Sequence, residues 1–233
     1  MTTSVFERTV QTKGRLDWLN RYPTRHSRLS MRWYLYSKRA LDLMICIAVL
    51  PFLLPIFALC AVLIKLDSAD GPVFFVQERT GKNGRRFRMF KFRTMVANAE
   101  ELKKQLVMTN EDGELARPMK LEHDPRITRV GRILRKTSLD ELPQVLNVFL
   151  GEMSWVGPRP TSFGLKSYSL WHTERLDVTP GITGLWQLYS RGTTDFDSWL
   201  RFDIPYIQRR CLALDIEIII RTFSAVFAGS GAR

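Results

Sequence analysis

Asp140 and Glu141 stand side by side in the stretch TSLDELPQVLNVFLGEMSWVGPRP, Thr137 to Pro160, just ahead of a proline and an apolar run. The pattern has two readings. Ser138 followed three residues later by Glu141 is a capping box, acidic groups in a first turn complement a helix dipole, and Pro143 suits an early helical position. The segment alone therefore reads as a helix start. The other reading is chemistry, and the rest of the chain narrows what that chemistry is. His26, His123 and His172 are scattered, and Cys46, Cys60 and Cys211 lie far apart. Neither a disulfide framework, a zinc spacing nor a Ser-His-Asp triad is present in that pattern. Carboxylates remain as the reactive groups, with a hard, oxygen-seeking cation as their metal.

The elements that would position such a pair belong to a chain of 233 residues, enough for one domain with a proper core. Lys and Arg number 35 against 23 Asp and Glu, a formal charge of +12. That balance favours an anionic partner: nucleic acid, a phospholipid surface or a phosphate-bearing substrate.

Leu43 to Ile64 is a run of 22 residues without a charge. As a straight helix it would measure about 33 Å, enough for a hydrocarbon core of about 30 Å. A cleaved signal fits badly, because some forty residues precede the run and no small-residue cleavage site follows it. Pro51 and Pro55 each leave a carbonyl four residues back without its helical donor, and two such losses one turn apart predict a sharp break. Residues 1 to 39 carry nine basic and two acidic side chains, and residues 65 to 233 carry 26 and 20. Both flanks thus prefer the cytoplasmic side. A helix-break-helix hairpin over 38–66 that enters and leaves one leaflet satisfies both. Residues 1–37 form a basic extension, an amphipathic surface helix or an unstructured arm.

Residues 67–233 read as a globular α+β domain, mainly helical. PVFFVQERTGKNGRRFRMFKFRTM has two β-prone runs flanking Lys82-Asn83-Gly84, a favourable hairpin turn. The alternation of the second run changes phase near Phe90, as a bulge would produce. Its Arg and Phe residues suit either single-stranded nucleic acid or a membrane surface. Beside the apolar run the second is more economical. VANAEELKKQLVM predicts a polar helix with Glu100 and Lys104 paired. In DPRITRVGRILRKTSLDELPQ, a basic stripe of Arg129, Arg132 and Lys136 accompanies the apolar Ile127, Val130 and Leu134. TPGITGLWQLYSRG reads as a turn-rich binding loop, and LDIEIIIRTFSAVFAG as a helix with Ile216, Ile219, Ile220, Phe223 and Phe227 on one face.

Taken in order, KRALD, KFRTM, TSLDELPQVLNVFLGEMSWVGPRP, TPGITGLWQ, LRFDIPYI and LALDIEI resemble the bacterial monotopic phosphoglycosyl transferases, or polyprenyl-phosphate sugar-1-phosphate transferases, over about residues 38 to 233. The resemblance implies a bacterial inner-membrane protein, monotopic through a re-entrant helix, with its catalytic domain facing the cytoplasm. It implies transfer of a sugar 1-phosphate from a UDP-sugar to undecaprenyl phosphate, with release of UMP, as a first membrane step of polysaccharide or glycoconjugate assembly. It further implies magnesium and an Asp-Glu dyad, which falls on Asp140 and Glu141. By that resemblance Asp140 is the nucleophile on the sugar-bearing phosphate, and Glu141 assists as a metal ligand or by managing the acceptor's proton.

A carboxylate can indeed attack phosphorus and form an acyl phosphate, but attack on a diphosphate needs cations to offset repulsion. Arg135, five residues before Asp140, and Arg159, between Pro158 and Pro160, are candidates, followed by Lys91, Arg93, Gln187 and Arg191. Asp203 and Asp215 also match family positions, the latter doubling as a helix start. Where members often carry Ser-Pro at the helix break, this chain has Leu54-Pro55. Where they often read AQVNGRN, it has LWQLYSRG, keeping Gln187 and Arg191. Membrane phospholipid is an expected partner and nucleic acid is not, while self-association as a homo-oligomer is compatible with the sequence. The competing class is a membrane-tethered, basic nucleic-acid-binding or scaffold protein, which would leave the dyad without a task.

Overall fold

The computed structural model describes residues 16–24, 28–102, 124–164, 168, 170–189 and 196–227. After a 3-10 turn at Asp17–Arg21, the elements are α1 (Arg28–Asp67), β1 (Phe74–Thr80), β2 (Arg86–Phe92), α2 (Arg129–Thr137), α3 (Gln144–Leu150), β3 (Ser154–Val156), β4 (Gly181–Thr183), α4 (Leu185–Tyr189), α5 (Phe196–Arg209) and α6 (Leu212–Phe227). Further 3-10 turns lie at Lys82–Gly84, Leu139–Glu141 and Leu170–Asp177. The mainly helical α+β expectation holds, with two small two-stranded sheets.

α1 corrects one expectation. It is helical for 40 residues, with Pro51 and Pro55 inside it. The helical winding is not interrupted at either proline: the two lie four apart on one helix face, so both lost hydrogen bonds fall on the same side. The helix contains no glycine, and its middle is rich in good helix formers. Met44, Ile47, Phe52, Leu54, Leu59 and Val62 are all exposed, a broad apolar surface on the run beside the few residues, Cys46, Cys60 and Ile64, that are buried.

The described residues form two compact units, and their boundary crosses α1 between Val49 and Leu50, just before Pro51. One unit comprises Leu50–Val76 and Phe90–Pro143. Its core is Cys60, Ile64, Phe92 and Leu134, with Ile56, Phe57, Val73, Val130 and Leu139 packed around them. Phe92 meets Phe57 edge-on and stacks on Phe74, with ring centroids 5.3 and 5.4 Å away. α2 starts on a double cap: Thr128 Oγ1 accepts from the Gly131 N-H at 2.9 Å and Asp67 accepts from the Val130 N-H at 2.8 Å.

The other unit comprises Met1–Val49, Gln77–Met89 and Gln144–Arg233. Its larger core gathers Leu19, Val156, Leu185, Phe202, Tyr206, Leu214 and Ile218, and a smaller one holds Cys46, Phe87, Met89, Val148 and Met153. β3 and β4 pair in parallel, Ser154 against Gly181 and Val156 against Thr183. A Cβ on Gly181 would sit 2.1 Å from the Gly157 nitrogen, so only glycine permits that approach. TPGITGLWQ is therefore a strand and a short helix instead of the expected loop, because its Gly residues serve backbone contact.

The N-terminal part of α1 is held in this unit by polar bonds. Lys38 Nζ and the Tyr34 hydroxyl both reach Asp215 Oδ2 at 2.9 Å, and the Tyr206 hydroxyl donates to Oδ1 at 2.8 Å. Asp42 accepts from Ser154 Oγ and the Trp155 N-H, and the Arg39 guanidinium donates to the Val148 and Phe149 carbonyls that end α3. Asp215 begins α6 and is also the buried anion of this cluster.

The hairpin agrees with expectation. β1 and β2 pair across the Lys82–Gly84 turn, with Asn83 and Gly84 at positive φ. On β2 Phe87 and Met89 are buried, then Phe92, which is the expected change of phase. Lys104 and His123 lie outside the described residues; a short helix is formed through Glu100 to residue 102.

Candidate active site

Asp140 and Glu141 lie in the 3-10 turn Leu139–Glu141, between α2 and α3, and both are partly exposed. The capping box is not formed. Ser138 adopts φ 59°, ψ 16°, ending α2 as a left-handed cap, and its side chain makes no cap bond. A left-handed serine is uncommon, and here it reverses the chain so that the two carboxylates leave α2 on a tight turn. Pro143 directly precedes α3, so the dyad occupies the joint between two helices, outside the first turn of either.

Around this joint, within the same unit, two predicted cations come close. Lys91 Nζ is 3.4 Å from Glu141 Oε1, both side chains partly buried. Arg135 donates from Nε to Thr94 Oγ1 at 2.9 Å. The Arg135 residue as a whole is exposed, but withdrawal of its guanidinium from water pulls its pKa down, while the charges of Asp140 and Asp124 oppose that shift. Asp140 thus lies in the field of a tethered arginine. Asp124 forms a forked ion pair with Arg126, at 2.7 Å, whose hydrogen bonds hold the carboxyl below its ordinary value.

Arg93, the second cation of KFRTM, is placed differently. It is buried, and its guanidinium donates to the Ser68 carbonyl at 2.6 Å and to the Asp70 carbonyl. Those bonds close the turn after α1. Thr94 is the residue of that motif that sequence reasoning overlooked: its carbonyl accepts from the Thr128 N-H at 3.1 Å and its hydroxyl holds Arg135. Gly131 was missed as well, and its signal was a lone glycine inside a helical pattern. A Cβ there would lie 2.1 Å from the Thr94 oxygen.

The other unit contains Arg159 and Gln187. Gln187 is buried on α4. Arg159 is partly exposed between its prolines, and Arg175 donates to its carbonyl at 2.8 Å. Arg175 itself is buried against Asp203 at 2.9 Å. No spacing pointed to Arg175. Arg191 lies outside the described residues.

Among the described residues no group of three or more His, Cys, Asp or Glu side chains could enclose a metal. Asp140 and Glu141 still fit magnesium, which binds through one or two carboxylates and completes its shell with water and substrate phosphate. The site offers hard oxygens on a partly exposed turn, which would suit such an ion.

The sequence was compared with families and proteins already known. The sequence profile described as "bacterial sugar transferase" matches residues 33–229. The chain is 43% identical to the galactosyl transferase CpsE of Streptococcus agalactiae, over 88% of this chain and 46% of that protein. It is 40% identical to the exopolysaccharide production protein ExoY of Sinorhizobium fredii, over 84% of this chain and 88% of that protein. It is also 39% identical to the undecaprenyl-phosphate galactose phosphotransferase of Salmonella typhimurium, over 88% of this chain and 43% of that protein. It thus spans under half the length of two of these relatives and most of the third. With the match covering most of α1, the dyad turn and α6 alike, the chain belongs to the bacterial sugar transferase family of phosphoglycosyl transferase enzymes.

Proposed function

We propose that this protein transfers a sugar 1-phosphate from a UDP-sugar to undecaprenyl phosphate at the cytoplasmic face of the bacterial inner membrane, through a covalent intermediate on Asp140. The observation that carries the reading is the dyad turn: two carboxylates on a strained joint, Lys91 on Glu141 and Arg135 beside Asp140, in a chain of this family.

In the first step an Asp140 carboxylate oxygen attacks the sugar-bearing phosphorus. The new P-O bond makes an acyl phosphate, the bond to the bridging oxygen breaks, and UMP leaves with that electron pair. In the second step a phosphate oxygen of undecaprenyl phosphate attacks the same phosphorus. The Asp140-phosphorus bond breaks, the carboxylate is restored, and the sugar is left on a lipid diphosphate. Arg135 lowers the repulsion between Asp140 and its anionic target, and Lys91 orients Glu141 for the acceptor. Arg159, Gln187 and Arg191 are assigned to the donor. Magnesium would be held by Asp140 and Glu141 and, when bound, supplies positive charge to the diphosphate oxygens.

α1 supplies the lipid boundary in this reading. Much of its apolar run is exposed, both flanks are basic, and Pro51 and Pro55 are where the helix would bend back towards the leaflet it entered. Labelling of cysteines introduced on both flanks in intact cells tests it: neither should react from outside, and reaction of one flank only would refute the re-entrant path. For the activity, purified protein given undecaprenyl phosphate, magnesium and a panel of UDP-sugars should release UMP. Asp140→Asn should abolish release while leaving the melting temperature in place, and full activity in that variant would rule out the nucleophile.

A further inference from the structure

The Pro158-Arg159-Pro160 segment presents an unusual anchoring problem. Its two prolines carry no N-H, so three residues offer one backbone donor and the segment must be gripped through its carbonyls. Backbone donors hold two points: the Gly181 N-H donates to the Pro158 carbonyl at 2.9 Å, and the Thr80 N-H to the Thr161 carbonyl at 2.8 Å. The carbonyl of Arg159 is held instead by a side chain, Nη2 of Arg175, at 2.8 Å. The same nitrogen lies 2.9 Å from Oδ2 of Asp203 on α5, with both side chains only 3% exposed.

A buried ion pair is an inefficient stabiliser, because desolvation of two charges offsets much of their attraction. This one delivers something a neutral donor could not: a single charged nitrogen, Nη2, on a rigid planar head, set against both the Arg159 carbonyl and the Asp203 carboxylate. Burial pushes the Asp203 carboxyl up to about 6, and the charge of Arg175 opposes that rise.

We propose that Arg175, oriented by Asp203, is a positioning residue that sets the backbone of Arg159 and so aims the Arg159 guanidinium at the donor. The inference rests on the reading of Arg159 as a donor ligand. Lysine at 175 keeps the charge beside Asp203 but loses the rigid planar head that sets one nitrogen against both the carboxylate and the Arg159 carbonyl. Asparagine at 203 leaves a buried guanidinium without its counter-ion.

The test is a mutant cycle on the purified full chain in lipid nanodiscs, with UMP release measured against whichever sugar of a UDP-glucose, UDP-galactose and UDP-N-acetylgalactosamine panel the wild type uses. Wild type, Asp203→Asn, Arg175→Lys, Arg159→Ala and the two doubles with Arg159→Ala are compared, each with its melting temperature. Asp203→Asn and Arg175→Lys should each lower kcat/KM for the donor about tenfold, mainly through KM, by analogy with lost positioning. In the Arg159→Ala background neither should cost more than about twofold, because the side chain they aim is gone. The same loss in both backgrounds, or no loss in Arg175→Lys, overturns the inference. If Asp203→Asn does not fold, Arg175→Lys decides alone. A wild type that releases no UMP from any donor sinks the parent reading, whereas an active wild type with an unchanged Arg159→Ala sinks only this one.

Discussion

Alanine at position 131 would add one methyl to the first turn of α2, and the structure says where that methyl goes. It would lie 2.1 Å from the Thr94 oxygen and 2.7 and 2.8 Å from the carbonyl carbon and Cα of the same residue. All three are backbone atoms, so no side chain can swing aside. Moving from 2.1 Å to the 3.4 Å of ordinary contact requires a separation of about 1.3 Å. That opening takes the 3.1 Å bond from the Thr128 N-H to the Thr94 carbonyl, and the 2.9 Å bond from Arg135 to the Thr94 hydroxyl, out of hydrogen-bonding range. Two bonds at about 1 kcal/mol each, with overpacking of about 1 to 3 kcal/mol, give a loss of about 3 to 5 kcal/mol. At this chain length that corresponds to a fall of about 10 °C in melting temperature. α2 ends three residues before Asp140, and a misplacement of about 1 Å near a reacting group can cost about a hundredfold in rate. Thermal unfolding and UMP release by Gly131→Ala, beside a Gly164→Ala control whose new Cβ meets nothing within 4 Å, would read both effects. A Gly131→Ala protein that melts and turns over like the wild type would refute the claim that the contact of α2 with Thr94 positions the dyad.

The left-handed cap makes its own forecast. Ser138→Gly should leave turnover intact and stability within about 1 kcal/mol of the wild type, whereas Ser138→Val should lose about 1 to 2 kcal/mol in chemical denaturation because branching is incompatible with that backbone. Equal stabilities would contradict the strained joint. On α6, burial alone would raise Glu217, but hydrogen bonds from Tyr22 and Arg221 outweigh it and hold the carboxyl below its ordinary 4.5. The folded pKa is depressed, so this contribution is present above pH 4.5 and lost as pH falls through the lower folded value. The melting-temperature advantage of wild type over Glu217→Gln should therefore be largest near neutrality and shrink below pH 4.5, and an advantage that grows in acid would contradict the sign.

What could be read in advance follows from the range of the forces involved. The Lys82-Asn83-Gly84 hairpin was legible because a turn with positive φ needs those residues locally. The phase slip on β2 was legible because burial alternates with period two. The dyad joint was not: Ser138 and Glu141 carry a capping-box pattern, but α2 ends at the serine and the left-handed cap uses the residues the box would need. The uninterrupted winding of α1 was not legible from its prolines because losses on one helix face can be absorbed while the winding continues. Of the predicted cations, Lys91 reaches the dyad while Arg93, two residues on, turns to the Ser68 and Asp70 carbonyls, because β2 ends at Phe92 and Arg93 lies past it against the turn after α1. The Arg175 and Asp203 pair joins residues 28 positions apart and has no local signature.

Incubation of the purified protein with its UDP-sugar and magnesium, without any lipid acceptor, followed by intact mass and peptide mapping, tests the central claim most directly. A gain of one sugar phosphate, less a water, should appear on residue 140. It should be absent from Asp140→Asn and disappear when undecaprenyl phosphate is added. An unmodified chain, in a sample that turns over as soon as acceptor is supplied, would contradict the covalent route and leave Asp140 with a supporting role in direct displacement.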